Sequence, residues 1–234
     1  MKYKRIMLKL SGEVLIGKKE MGIDFELLKN LCQEIIEIAK LGIEIVIVIG
    51  AGNIWRYRDN KDSGLDRVTS DNLGMVATVM NAVVMQHELE EQGCEVRICS
   101  AISLPQLVQD YVVRQARKHL EMGRIVICSG GTGNPYFTTD SAAALRALEL
   151  NCEVLLKATK VDYVYDKDPE KFSFVKKYDK MSYTDVLSQD LKFMDASAIA
   201  ICRDGNLPIL LFNLQKKGNM KKAASGEKIG TLIV

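Results

Sequence analysis

Short β-branched runs alternate with longer segments of helical period, and this alternation most constrains what the chain can fold into. KRIMLKL (Lys4–Leu10) reads as a strand, and Asp24 then caps a helix in which Leu27, Leu28, Leu31, Ile35 and Ile38 recur at helical spacing until Gly42. IEIVIVI (Ile43–Ile49) is apolar on both faces, as expected of a strand buried at the centre of a parallel sheet. A helix opened by Asp71 or Asn72 runs to about Gln92, followed by a strand at Glu95–Ser100. The next helix is expected from about Leu104, with Pro105 in its first turn, to near Gly123. A strand at Arg124–Gly130, a helix at Asp140–Leu150 and a strand at Glu153–Ala158 complete a βαβαβαβαβ order. That order predicts an α/β fold: a three-layer αβα sandwich with a mainly parallel central sheet, whose ligand lies beyond the carboxyl ends of the strands. After Thr159 the pattern loosens into a turn-rich stretch. Helical segments are expected near Ser182–Leu187 and Met194–Asp204, with closing strands in PILLFN and TLIV.

The chain has 234 residues, of which 47% are hydrophobic, enough for one core, so residues 1–234 are expected to form a single domain. Lys and Arg number 32 against 30 Asp and Glu, and so weak a positive balance argues against a nucleic acid or an acidic membrane as main partner. Any anion site must be local. The six cysteines are scattered without Cys-x-x-Cys spacing, as reduced core thiols are, and no metal-ligand pattern is present. With neither a leader-like segment nor an apolar run near the ~18 to 20 residues of a membrane span, a cytoplasmic location is expected.

Three glycine-rich turns each follow a predicted strand: Ser11-Gly12, Gly50-Ala51-Gly52-Asn53 and Gly130-Gly131-Thr132-Gly133-Asn134. Such turns present bare N–H groups to phosphate oxygens, although glycine also serves any tight β-to-α connection. There is no Walker A pattern. A dinucleotide fingerprint fails as well, because Trp55 stands where the third glycine would be and a charged loop replaces the helix start.

Phosphoryl transfer without a Walker loop needs cations from elsewhere, assisted by Mg²⁺. Lys9 and Lys157 sit within apolar runs at strand ends, where a buried lysine calls for an anionic partner; Lys160 and Arg56 are further cations beside the predicted turns. Asp140 can cap its helix, orient the lysines, or do both. Asp71 is either a cap or a partner for a sugar hydroxyl. Thr132, Asn134, Thr138 and Thr139 offer neutral groups of the kind that read a base edge. Tyr165, Asp168 and Pro169 form either a simple turn or a contact for adenosine. Lys216, Lys217, Lys221 and Lys222 read as a solvated face.

KLSGE at Lys9–Glu13, IGAGNIWR at Ile49–Arg56, SDNLGMVATVMNA at Ser70–Ala82, GTGNPYFTTDSAAALRA at Gly131–Ala147, KATKVD at Lys157–Asp162 and the closing GTLI, in this order, resemble the amino acid kinase superfamily. Within it the match is to the bacterial uridylate kinases, which phosphorylate UMP to UDP. The resemblance implies a catalytic set of Lys9, Asp140, Lys157 and Arg56. It implies that Lys9, Leu10, Ser11, Gly12, Gly52, Arg56, Thr159, Tyr165 and Asp168 hold ATP with Mg²⁺. It places Ala51, Asp71, Thr132, Gly133, Asn134, Pro135, Tyr136, Phe137, Thr138 and Thr139 against UMP. It further implies a homohexamer answering to GTP and UTP, with MGID (Met21–Asp24) similar to the segment associated with the GTP response.

The chain departs from the family's usual pattern at Ala51 and Tyr163, each of which replaces a glycine. Two other classes are weighed on the residues. A carboxylate or carbamate kinase would call for a cation within Thr132–Thr139, and that stretch is neutral. A nucleotide-storage protein would not need Lys9, Lys157 and Asp140 together.

Overall fold

The computed structural model describes residues 2–17, 19–57, 64–167 and 174–234. In chain order the strands are β1 (Arg5–Leu10), β2 (Glu44–Ile49), β3 (Val96–Ser100), β4 (Gln109–Asp110), β5 (Ile125–Ser129), β6 (Val154–Thr159), β7 (Val164–Tyr165), β8 (Lys177–Tyr178), β9 (Lys180–Met181), β10 (Ile209–Asn213) and β11 (Thr231–Ile233). The helices are α1 (Phe25–Ala39), α2 (Arg67–Glu91), α3 (Val113–Glu121), α4 (Thr139–Glu149), α5 (Tyr183–Ser188), α6 (Ala196–Asp204) and α7 (Asn219–Ser225). Among the described residues, nine strands form one sheet in the order β4-β3-β5-β2-β1-β6-β10-β11-β9, parallel except where β10 meets β11, while β7 and β8 form a separate hairpin. The expected α/β sandwich with a mainly parallel sheet is what is found.

Alternation along each central strand sends side chains into two cores. Ile6, Leu8 and Leu10 of β1 join Ile45, Ile47 and Ile49 of β2 beneath α1, α2 and α7. Met7, Val46, Val48, Val126 and Leu155 face α3, α4, α5 and α6. Lys9 and Lys157 continue the second set at the carboxyl ends of β1 and β6.

Helix boundaries differ from expectation where local capping chemistry decides. Asp24 caps α1 as expected, its carboxylate accepting from the amides of Glu26 and Leu27. The α2 helix starts earlier than Asp71: Asp66 is its N-cap, bonded to the Thr69 amide, and Asp71 lies within the helix, so it is not a cap. Nor does Asp140 cap α4, because Thr138 occupies that position and accepts from the Asp140 amide at 3.1 Å.

The helix expected from Leu104 shrinks to Val113–Glu121. Residues 104–108 form a turn, and Gln109–Asp110 pairs with β3 as an edge strand. Pro105 therefore sits in a loop, and α3 begins only after Val112, an extended N-cap residue without a side-chain capping bond. The sequence pattern did not announce β9, the β7–β8 pair or α7: these strands have two residues each, and α7 falls in the Lys-rich stretch read as a solvated face, although Met220, Ala223 and Ala224 are buried.

Candidate active site

The strand order explains how distant motifs meet. Strands β5, β2, β1 and β6 are consecutive and parallel, so the third, second and first glycine turns and the Lys157–Lys160 stretch lie side by side along one rim. Gly12 is where two turns touch most closely: a Cβ there would come within 2.5 Å of the Gly50 carbonyl oxygen and 2.8 Å of the Gly52 nitrogen. In the third turn, Gly130, Gly131 and Gly133 have φ of 73°, 60° and 81°, a left-handed path that side chains resist.

Lys9 and Lys157 are register partners across β1 and β6 and point to the same face. Above them α4 presents Asp140, whose Oδ1 lies 2.9 Å from Lys9 Nζ and whose Oδ2 accepts from Lys157 Nζ. The three side chains are only 7%, 11% and 14% exposed for Lys9, Lys157 and Asp140 respectively. Burial works to raise the Asp140 pKa, but the two ammonium groups outweigh it and hold the carboxyl below its ordinary value. Burial pulls the Lys157 pKa down, only partly opposed by Asp140, and Lys9 adds to the lowering. The result is a buried cluster with one surplus positive charge at the sheet rim.

A second cluster lies nearer solvent. Arg56 Nε donates to the Gly52 carbonyl at 2.7 Å, and its Nη2 lies 2.8 Å from Glu13 Oε1. Lys160 Nζ reaches Glu13 Oε2 at 3.2 Å. Arg56 and Lys160 thus meet at one carboxylate, Glu13, which closes the KLSGE motif and lies outside the expected catalytic set.

A cleft of about 220 Å³ opens between the second and third turns, lined by Ala51, Trp55, Asp71, Met75, Phe137 and Thr139 among others. A second, of about 430 Å³, borders Glu13, Thr159, Lys160 and Leu214. The two flank the rim that carries the lysines.

The model of the amino acid kinase family matches residues 4–213. The chain belongs to the amino acid kinase family. Similar solved structures include the UMP kinase from Bacillus anthracis, 38% identical with a TM-score of 0.96, covering 99% of this chain and 96% of that one. The UMP kinase from Ureaplasma parvum is 35% identical with a TM-score of 0.94, covering 100% of this chain and 99% of that one. The uridylate kinase from Archaeoglobus fulgidus is 25% identical with a TM-score of 0.76, covering 98% of this chain and 99% of that one.

Other residues singled out by the kinase resemblance have identifiable surroundings. Asp71 Oδ2 accepts from Arg67 Nε at 2.7 Å and from the Tyr136 amide at 2.8 Å, joining α2 to the loop before α4. That bond supports Tyr136 at φ 70°, unusual for a tyrosine. Thr132 and Asn134 bond each other within their turn. Pro135 is half-buried in the same loop, while Tyr136 and Phe137 are exposed. The Thr138 hydroxyl donates to Asp195 at the start of α6.

The Thr159 hydroxyl lies 2.8 Å from the Val161 carbonyl oxygen and 3.1 Å from that of Phe212, with one proton to donate to either, and Tyr165 pairs with β8 from β7. The Leu10 side chain is fully buried in the α1-side core, which leaves only its backbone for a ligand. Asp168 and Pro169 lie outside the described residues.

Both departures from the family pattern are accommodated. Neither Ala51 nor Tyr163 has a positive φ, so neither position needs glycine. The Tyr163 ring packs edge-on against Tyr165 and lies under Lys177 Nζ at 4.4 Å.

Proposed function

We propose that this chain is an ATP-dependent UMP kinase, producing UDP and ADP. The observation that carries the reading is the convergence of Lys9 and Lys157 on Asp140, at the centre of a rim flanked by two clefts. The likeness to UMP kinases along the whole chain supports UMP as acceptor. In this reading ATP lies over the first glycine turn and the end of β6, and UMP lies in the cleft between the second and third turns. An oxygen of the UMP phosphate forms a bond to the γ-phosphorus while the bond from that phosphorus to the β,γ-bridging oxygen breaks, and ADP leaves with that oxygen. Lys9 and Lys157 face the charge that spreads over the transferring group, with Asp140 orienting both. Arg56 meets the same phosphates from the second turn, and the protein's main contribution is alignment.

Among the described residues no group of three His, Cys, Asp or Glu side chains is placed to hold a metal, and Asp140 is already engaged by two lysines. Mg²⁺ would enter with ATP and would supply charge neutralisation beside Lys9 and Lys157.

We extend the reading to residues 1–234 as one catalytic domain, to a place in pyrimidine nucleotide synthesis, and to a cytoplasmic hexamer under GTP and UTP control. Strands from both ends of the chain share the sheet, which supports the first. All six cysteines are free thiols and no described helix is long and apolar enough to cross a membrane, which supports the location. The exposed Leu73, Val76 and Met80 of α2 support association. Sedimentation with and without each effector nucleotide checks it.

The central reading is tested by ADP release with UMP, CMP, AMP and a panel of carboxylates. Turnover with UMP well above the others is expected. Preference for CMP would overturn the substrate, and transfer to a carboxylate would overturn the reaction class.

A further inference from the structure

The α2 helix is unusual in what it buries. Thr78 and Asn81 are 3% and 0% exposed, and their spacing places them on one face of the helix. Each reaches a different glycine turn. Asn81 Nδ2 donates to the Gly50 carbonyl at 2.8 Å and to Asn53 Oδ1 at 2.8 Å, while Asn53 Nδ2 donates back to Asn81 Oδ1 at 2.9 Å. Asn53, itself 2% exposed, also donates to the Gly22 carbonyl at 3.1 Å and accepts the Gly22 amide on its own carbonyl at 2.7 Å. Thr78 donates its hydroxyl proton to the Met75 carbonyl, which leaves an oxygen lone pair to accept the Gly130 amide at 2.8 Å.

We propose that Thr78 and Asn81 are positioning residues that set the spacing of the second and third glycine turns, and that Asn53 extends this link to Gly22 in the loop before α1. The proposal rests on the UMP kinase reading and deepens it. A buried amide pair is a demanding device, since each N–H and C=O must find a partner or destabilise the fold. An apolar pair would fill the space equally well but would leave the Gly50 carbonyl without its Asn81 bond and the turn without a defined register. Displacement of a reacting group by about an ångström is enough to cost on the order of a hundredfold in rate.

The two pins act on different parts of the reaction. In the proposed reading Gly50 opens the turn that carries Arg56, bonded to the Gly52 carbonyl, against the transferring phosphate as well as Ala51 at the UMP cleft, so loss of the Asn81 bonds reads out chiefly in kcat. Gly130 opens the turn on the UMP side, so loss of the Thr78 bond reads out in the KM for UMP.

Asn81→Leu, Thr78→Val and the core control Leu89→Ala are compared with wild type by steady-state kinetics well below their melting temperatures, and by amide hydrogen exchange. Leu89 is fully buried in the same helix. We expect Asn81→Leu to lose about tenfold or more in kcat with the KM for both nucleotides held within about threefold, and Thr78→Val to raise the KM for UMP by about threefold or more. Exchange should quicken at Gly22 and residues 50–53 in the first variant and at Gly130 in the second. Leu89→Ala should lower the melting temperature with both kinetic constants unchanged.

If Asn81→Leu does not fold, Asn81→Ser removes the same amide and is read in the same way. Wild-type exchange at those amides in both variants, or an equal kinetic loss in Leu89→Ala, overturns the proposal. Absence of UMP turnover in the wild-type protein would instead defeat the reading beneath it, and the exchange rates would still decide the link.

Discussion

Among the described residues, two clusters each bring two cations to one carboxylate, with opposite physics. Lys9 and Lys157 meet Asp140 on adjacent strands under a helix, nearly removed from water. Arg56 and Lys160 meet Glu13 on turns, with Glu13 32% and Lys160 67% exposed. In the first, solvent cannot replace a missing partner, so removing the carboxylate strands two buried charges. In the second, water screens each ion, and the attraction competes with side-chain entropy. The buried cluster is therefore suited to holding a fixed field, and the exposed one to exchanging partners with an incoming anion.

The largest expected break comes from Asp140→Ala, which should lower stability by about 3 to 5 kcal/mol and abolish measurable turnover, checked by urea melts and single-turnover transfer. Lys9→Ala should cut kcat by about two to three orders of magnitude while UMP affinity changes little. Equal loss of both would place Lys9 in binding rather than in the transfer step.

Titration reads the buried cluster next. Because Asp140 is held below its ordinary value of 3.8, the unfolded chain takes up that proton first as the solution is acidified. Its stabilising contribution is complete above 3.8 and is lost as pH falls through the folded value. Lys157 is held below 10.5, so the folded protein releases that proton before the unfolded chain does. As pH rises through that window the Lys157 contribution to stability increases, while the cation that the proposed reading sets against the phosphate disappears. Activity should fall on the alkaline side below 10.5, and Lys157→Met should remove that titration from folding stability measured over the same range.

Smaller effects sharpen the exposed side. Glu13→Gln should change stability by less than about 1 kcal/mol and shift the KM for ATP by a few-fold at low salt, with the shift fading at high salt. A loss comparable to that of Asp140→Ala would erase the distinction between the clusters. Ala51→Gly, which restores the family's usual residue, should cost about 0.4 to 1 kcal/mol through unfolded-state entropy and move the KM for UMP by less than about twofold.

Much of this was legible in the sequence because it depends on short-range pattern. The strand runs and helical periods announce the parallel sheet, and a lysine inside an apolar run announces a buried partner. Asp140 and Lys157 were legible as chemistry-bearing types, but their contact depends on α4 crossing above β6. Glu13 carried a weak signal, adjacency to the first glycine turn. Asp195 carried none, since it stands in a loosely patterned stretch and meets Thr138 only through the packing of α6 beside α4.

By itself the sequence determined the element types, the apolar faces of the central strands and the stock of turns and cations, all of which follow from properties of neighbouring residues. Only the tertiary structure decided that β6 lies beside β1 rather than β5, and hence that Lys9 faces Lys157. The same holds for the α2 register that brings Thr78 and Asn81 to separate turns. Those contacts join residues far apart in the chain, and their geometry is set by how the sheet orders its strands and the helices settle on its faces.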